Sequence, residues 1–216
     1  MNGQDPAPVL VISAPSGVGK TSLIRRLMKD NPWISVAISH TTRSPRATEI
    51  NGREYHFVTG DEFDRLREFG AFIETAEVFG HSYGVTWQAL KQARIEGELV
   101  IIEIDWQGAR SVDVAGIRNK SVFILPPSKE AQERRLKSRA EDSQEVMRER
   151  LRQTHDDCTH YYEFDYQILN DDFDVAASYL QQICVATRDN KVLSSLPDVK
   201  KKAEELIFNL ARSINQ

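Results

Sequence analysis

Short unbroken apolar runs recur along this chain, separated by stretches of helical spacing. Val9-Leu10-Val11-Ile12, the run from Leu99 to Asp105 and the run from Ser121 to Leu125 are rich in Val, Ile and Leu. Runs this short read as strands buried on both faces of a parallel sheet. Trp33 to Ile38 alternates instead and offers Trp33, Val36 and Ile38 to a core. Tyr166 to Asp172 is a last short strand that ends in polar residues.

Helices fall between these runs. The first is expected from Thr21 to about Lys29, with Leu23, Leu27 and Met28 as its buried stripe, and Asp30-Asn31-Pro32 stops it. Asp61 to Glu68, closed by Gly70, and Trp87 to Glu96, followed by Gly97, are two more, the latter with Leu90 and Ala93 inward. Ser128 can cap a helix from Lys129 to Ser138, and Ala176 to Val185 forms another. After a loop from Asn190 to Pro197, the positions Ala203, Leu206, Ile207, Leu210, Ala211 and Ile214 have helical spacing. That stripe packs either on its own domain or on a second subunit, which leaves a homo-oligomer open. The whole reads as an α/β fold, a parallel sheet flanked by helices, with a small mixed subdomain inserted from Ser39 to Glu96.

The link between the first strand and the first helix turns the picture from architecture to chemistry. Ala14-Pro15-Ser16-Gly17-Val18-Gly19-Lys20-Thr21-Ser22 leads from strand to helix, and Gly17, Gly19, Lys20 and Thr21 fit the second half of the phosphate-loop pattern G-x-x-x-x-G-K-[ST]. Glycine lets the backbone curl until successive N–H groups point at an anion. The helix adds its positive end. Lys20 can bridge the β- and γ-phosphates, and the Thr21 hydroxyl can ligate Mg²⁺. Ala14 stands where the pattern has its first Gly. A plain strand–turn–helix corner would explain the glycines. It would not explain a lysine at the helix start, where its charge opposes the dipole unless an anion is bound.

Composition sets bounds. With 216 residues the chain can bury a good core as one domain carrying inserted subdomains. A formal charge of −4 draws it to no nucleic acid. Without a signal-peptide pattern at Met1 to Ala7 or an 18-residue apolar run, the expectation is no membrane and a cytoplasmic protein. Cys158 and Cys184 lack metal spacing and read as reduced thiols in preference to a disulfide. His155, Cys158 and His160 invite a zinc reading, but no fourth ligand is evident, and a helix surface accounts for them better.

Two further stretches carry candidate chemistry. Ser39-His40-Thr41-Thr42-Arg43-Ser44-Pro45-Arg46 places two arginines around a stiffening proline. Guanidinium forks suit a compact dianion, although a solvated polar loop explains the stretch as well. Glu103 and Asp105 end a buried strand at the edge where open α/β sheets bind ligands. They can hold Mg²⁺ through water, steer an arginine or substrate, or cap the sheet structurally. From Arg134 to Arg152 cations and acids interleave, and most of them fit a solvated helical face.

With SHTTRSPR followed by Asn51-Gly52-Arg53-Glu54-Tyr55-His56-Phe57-Val58, then Phe72-Ile73-Glu74, Tyr83-Gly84 and Glu103-Ile104-Asp105-Trp106-Gln107-Gly108, the chain resembles the guanylate kinases from about Val9 to Phe173. The resemblance implies a P-loop core of 1–38, 98–127 and 160–216, a GMP-binding subdomain of 39–97 and a lid of 128–159. It implies that Arg43, Arg46, Tyr55 and Tyr83 hold the GMP phosphate, that Glu74 holds guanine, and that Ser39 lies near the same base. Thr86, Glu103 and Asp105 join this set. The ATP phosphates fall to Ala14 through Ser22, the adenine to the neighbourhood of Asn170, and the transferring phosphate to Lys20, Arg43, Arg135, Arg139 and Arg150.

Glu74 also makes sense chemically. A carboxylate accepts from guanine N1–H and the 2-amino group, whereas adenine presents a bare lone pair there. Judged without the resemblance, Glu74 reads as a solvent-facing strand residue, and Tyr55 and Tyr83 as half-buried core aromatics. Two departures stand out. Val85 replaces the hydroxyl residue usual after Tyr-Gly, leaving Thr86 either to compensate or to cap the next helix, and Ala140 replaces a Gly in the lid. The expected activity is transfer of the γ-phosphoryl group of ATP, with Mg²⁺, to GMP, with dGMP left open. The alternatives are a non-catalytic guanylate-kinase-like module that binds proteins, which retention of Lys20 and Thr21 disfavours, and a kinase for another nucleoside monophosphate.

Overall fold

A computed structural model describes residues 6–78, 80–117, 119–137, 144–193 and 196–214. In chain order its strands are β1 Val9–Ser13, β2 Ile34–Val36, β3 His40–Thr41, β4 His56–Phe57, β5 Phe72–Val78, β6 His81–Thr86, β7 Leu99–Glu103, β8 Asn119–Leu125 and β9 Tyr166–Leu169. Its helices are α1 Lys20–Asp30, α2 Gly60–Glu68, α3 Trp87–Glu96, α4 Trp106–Val114, α5 Lys129–Lys137, α6 Gln144–Thr159, α7 Phe173–Arg188 and α8 Lys200–Ile214. A five-stranded sheet has the order β2-β7-β1-β8-β9, and a four-stranded sheet the order β4-β3-β6-β5. The pairs β2–β7 and β8–β9 are parallel. The expected α/β architecture is present: every residue of β1 is buried, as are the first four of β7 and the last four of β8.

The chain forms two compact units. One comprises the chain up to Val11 and Asn31–Asn119. It contains the mixed four-stranded sheet, in which β6 lies antiparallel to both β3 and β5 and β4 runs parallel to β3. Thr59 closes α2 with a full capping box against Glu62, and Phe63 of this helix stacks on Phe72 at 4.5 Å. Leu90 and Ala93 of α3 are buried as the spacing predicts.

The second unit comprises Ile12–Asp30 and Lys120 onward. Here α8 packs on α6, burying Ala203, Leu206 and Leu210 beside Leu151, Thr154 and Cys158. Of the stripe on the tail, Ala203, Leu206 and Leu210 are thus buried within this unit, Ile207 and Ala211 are half-buried, and the side chain of Ile214 lies outside those described. Asp172 caps α7 by accepting from the Asp174 and Val175 N–H groups, starting this helix earlier than the apolar spacing suggests.

Several expectations need correction. Met28 is exposed, because Ile24 joins Leu23 and Leu27 in the buried arc of α1 and leaves Met28 further round the helix. Trp33, Val36 and Ile38 are only half-buried. The core side of this stretch is Ile34, Ser35 and Ala37, because α3 packs on β2 and the Ser35 hydroxyl donates to the Ala93 carbonyl at 2.7 Å. The strand read as ending at Asp105 ends at Glu103, and Asp105 caps α4, a nine-residue helix separated from the strand by Ile104 and Asp105 alone. Cys158 is fully buried and not on a helix surface. Both Cys158 and Cys184 are free thiols whose pKa values burial raises.

Candidate active site

The phosphate loop lies within the second unit. It leaves β1 at Ser13 and enters α1 at Lys20, with Gly17 at φ 86° and Gly19 at φ 103°. Both are left-handed conformations that a side chain would strain. Ala14 has no positive φ, so its methyl group meets no backbone penalty at the position where the general pattern has glycine.

The outer side of the loop is held through its carbonyls. Asn170 Nδ2 donates to the Val18 carbonyl at 2.7 Å, and Arg135 donates to the same oxygen at 2.9 Å and to the Asn170 carbonyl at 3.1 Å. The Gln132 amide donates to the Ser16 carbonyl. These bonds fix the Ser16 and Val18 carbonyls, and the Val18 N–H donates to the Pro15 carbonyl at 3.4 Å, so the loop is a tight, braced turn ahead of α1. Gly19 serves a second purpose here, because a Cβ on it would stand 2.9 Å from Asn170 Nδ2. Gln132 is a residue that the sequence pattern does not single out. A glutamine one turn into a charged helix carries no local signal.

Within the first unit, the arginine loop is built around an acid that the sequence pattern also leaves unmarked. Glu49 takes Arg43 Nη2 on both carboxylate oxygens, each at 2.9 Å, and accepts from the Arg46 backbone N–H at 2.7 Å. Arg46 Nη1 lies 3.5 Å from the same carboxylate. Arg43 is braced further by the Ser44 carbonyl at 2.6 Å and lies over the Tyr55 and Phe57 rings at 5.5 and 5.7 Å. Tyr55 and Tyr83 meet edge to face at 5.9 Å. Burial, reinforced by Glu103, raises the Tyr55 pKa, so its phenol stays a donor. Arg43, Tyr55 and Tyr83 therefore form one donor-rich cluster, with Arg46 more exposed at its edge.

Glu74 is 4% exposed and is not the solvent-facing residue that its strand alone suggests. It pairs with Val85 just after a bulge in β5, and Ala76 pairs with Tyr83. Directly opposed antiparallel residues share a face, and so do alternate residues, so Glu74 and Tyr83 lie on one face of the sheet. Glu74 Oε1 accepts from the Val85 N–H at 2.9 Å. Burial, with Asp105 adding to it, pushes the Glu74 carboxyl up to about 8, against the pull of the Val85 N–H.

The remaining expected residues take varied places. Ser39 is buried, and its carbonyl accepts from the His56 N–H. Thr86 caps α3, its hydroxyl accepting from the Ala89 N–H at 3.1 Å. Asp105 Oδ1 accepts from the Gly108 N–H at 2.8 Å at the start of α4. Arg150 is half-buried on α6. Arg139 and Ala140 lie outside the described residues. No cluster of three or more His, Cys, Asp or Glu able to hold a metal occurs among the described residues, and no described helix is long and apolar enough to cross a membrane.

Comparison with known proteins gives a consistent answer. The guanylate kinase family model matches residues 7–187. A guanylate kinase of Pseudomonas fluorescens (strain Pf0-1) is 46% identical over 195 residues, covering 86% of this chain and 95% of the relative. That of Escherichia coli (strain K12) is 46% identical over 180 residues, covering 82% and 87%. Among solved structures, guanylate kinase from Anaplasma phagocytophilum aligns with a TM-score of 0.69 at 30% identity, over 95% of this chain and 97% of that one. With motifs, fold and relatives all in agreement over most of its length, the chain belongs to the guanylate kinase family.

Proposed function

We propose that this chain catalyses transfer of the γ-phosphoryl group of ATP to GMP, giving ADP and GDP. The observation that carries the reading is the buried carboxylate of Glu74, which shares a sheet face with Tyr83 of the Arg43–Tyr55–Tyr83 cluster. A guanidinium and two phenols suit a phosphate. A carboxylate suits the adjacent N1–H and 2-amino donors of guanine and leaves adenine's lone pair unpaired.

Phosphoryl transfer asks chiefly for positioning and charge neutralisation, with no covalent nucleophile. The amides of Ser16 to Ser22 and the Lys20 ammonium would bind the donor phosphates, with Asn170 at the adenine. Arg43, Arg46, Tyr55 and Tyr83 would hold the acceptor, with Ser39, Glu74 and Thr86 at its base. Arg135, Arg139 and Arg150, in a lid of residues 128–159, would add charge at the transferring group. The Thr21 hydroxyl is a hard oxygen donor of the kind Mg²⁺ takes when it arrives with phosphates, and Glu103 or Asp105 would assist through water. Bound there, Mg²⁺ would neutralise developing phosphate charge.

An ADP-release assay with GMP, dGMP, AMP, UMP and CMP as acceptors tests the reading. Turnover with GMP far above that with AMP, UMP and CMP is expected. No ADP with any acceptor would assign the chain to a binding module, and preference for another base would reassign the substrate. The Lys20→Ala variant should lose most turnover while still binding GMP.

A further inference from the structure

We infer that Gly108 is a specificity-determining positioning residue: having no side chain, it lets the Glu74 carboxylate seat against the first turn of α4 in the register that reads guanine. The inference rests on Glu74 being the base contact. Gly108 is buried within α4, and its φ is not positive, so no left-handed conformation calls for glycine here. Glycine is also a poorer helix former than alanine. Neither backbone shape nor helix propensity accounts for it.

What accounts for it is space. A Cβ at Gly108 would stand 2.7 Å from Glu74 Oε2, 3.2 Å from Glu74 Cδ and 3.1 Å from Ile104 Cβ. Ile104 Cβ is fixed to its backbone and cannot swing aside, whereas the end of the Glu74 side chain can. The other carboxylate oxygen is held by the Val85 N–H at 2.9 Å. The carboxylate is thus defined on two sides, by a backbone donor on β6 and by the bare Cα of Gly108. The Asp105 cap fixes that Cα in turn by accepting the Gly108 N–H at 2.8 Å. An added methyl group would push Oε2 away, and its closer fit to Ile104 Cβ would have to be taken up by a shift of a few tenths of an ångström in the first turn of α4. Its larger effect should therefore fall on guanine recognition, with a smaller cost in stability from the contact with Ile104.

The test is a double-mutant cycle of Gly108→Ala and Glu74→Asp, with KM for GMP, KM for ATP and melting temperature measured on each variant. Displacing a charged hydrogen-bonding group should raise KM for GMP by about ten-fold or more in Gly108→Ala. KM for ATP should hold, and the melting temperature should fall by no more than about 4 °C. The shorter acid escapes the methyl group, so the double variant should be no worse than the poorer single variant. Equal KM for GMP in Gly108→Ala and wild type, or losses that multiply in the double variant, would overturn the inference while leaving Glu74 in place. An unchanged KM for GMP in Glu74→Asp would instead remove Glu74 from the base site, and the inference with it. Should Gly108→Ala fail to fold, Glu74→Asp in the same chain should restore folding, and failure to do so would overturn the inference by showing that Ile104 alone excludes the methyl group.

Discussion

Glu49 holds Arg43 Nη2 on both carboxylate oxygens at 2.9 Å, and the backbone N–H of Arg46 reaches the same carboxylate. The acid thus fixes the orientation of two arginines proposed to meet a phosphate. Burial opposes its charge, but the Arg46 N–H and the two guanidinium groups hold its pKa below the usual carboxylate value. Removing it would take from Arg43 its carboxylate partner, leaving the Ser44 carbonyl and the rings to hold it, and from Arg46 the acceptor of its backbone N–H. Glu49→Ala should raise KM for GMP roughly ten-fold, on the scale of one lost charge-assisted contact. KM for ATP should stay unchanged. Steady-state kinetics with each substrate varied in turn checks this, and equal KM values for GMP would show that the acid contributes no positioning.

The Glu74 carboxyl, pushed up to about 8 by burial and Asp105, holds its proton at neutral pH in the unliganded chain. Guanine's two N–H donors favour the ionised form, so binding should expel that proton. GMP affinity should rise with pH by up to about ten-fold per unit until pH 8 and then level off. Titration calorimetry at about pH 7 in two buffers of different ionisation enthalpy should report proton release, and Glu74→Gln should abolish this share of it. The same shift acts on folding with a definite sign. Because the folded value lies above the ordinary one, this contribution is complete below pH about 4.5 and is lost as pH rises through about 8.

Arg135 forks between the Val18 and Asn170 carbonyls, at 2.9 and 3.1 Å. Arg135→Ala should loosen the phosphate loop and raise KM for ATP with little change in KM for GMP. Arg135→Lys should not restore it, since an ammonium cannot match the planar fork. Recovery of wild-type kinetics in the lysine variant would show that charge alone matters at this position.

Leu210 is fully buried on α8, the helix that packs on α6. Leu210→Ala should cost about 2–5 kcal/mol of stability through lost burial and the cavity left behind. Chemical denaturation measures it directly. A loss below about 1 kcal/mol would mean that the end of α8 contributes little to the fold.

The residues that pattern reveals and those it hides divide along a physical line. Lys20 and Thr21 are legible because a phosphate loop is local: strand, glycine turn and helix start lie next to one another in the chain. Leu90 and Ala93 are legible because one helix period governs them both. Met28 and the phase of Trp33 to Ile38 mislead because neighbouring elements decide which side of a short segment is covered. The helix after Asp105 is hidden because Asp105 reads as the end of an apolar strand, and only the folded chain shows its carboxylate accepting the Gly108 N–H as a helix cap.

The order of residues alone thus determined the buried strands, the anion loop and the family. Tertiary structure decided which polar side chains lie inside: Glu74 against Gly108, Glu49 beneath Arg43, and Gln132 on the Ser16 carbonyl. Apolar periodicity records how much surface a segment must hide, a property written along the chain. The environment of a buried carboxylate or amide is set by atoms far away in sequence, and only packing brings them together.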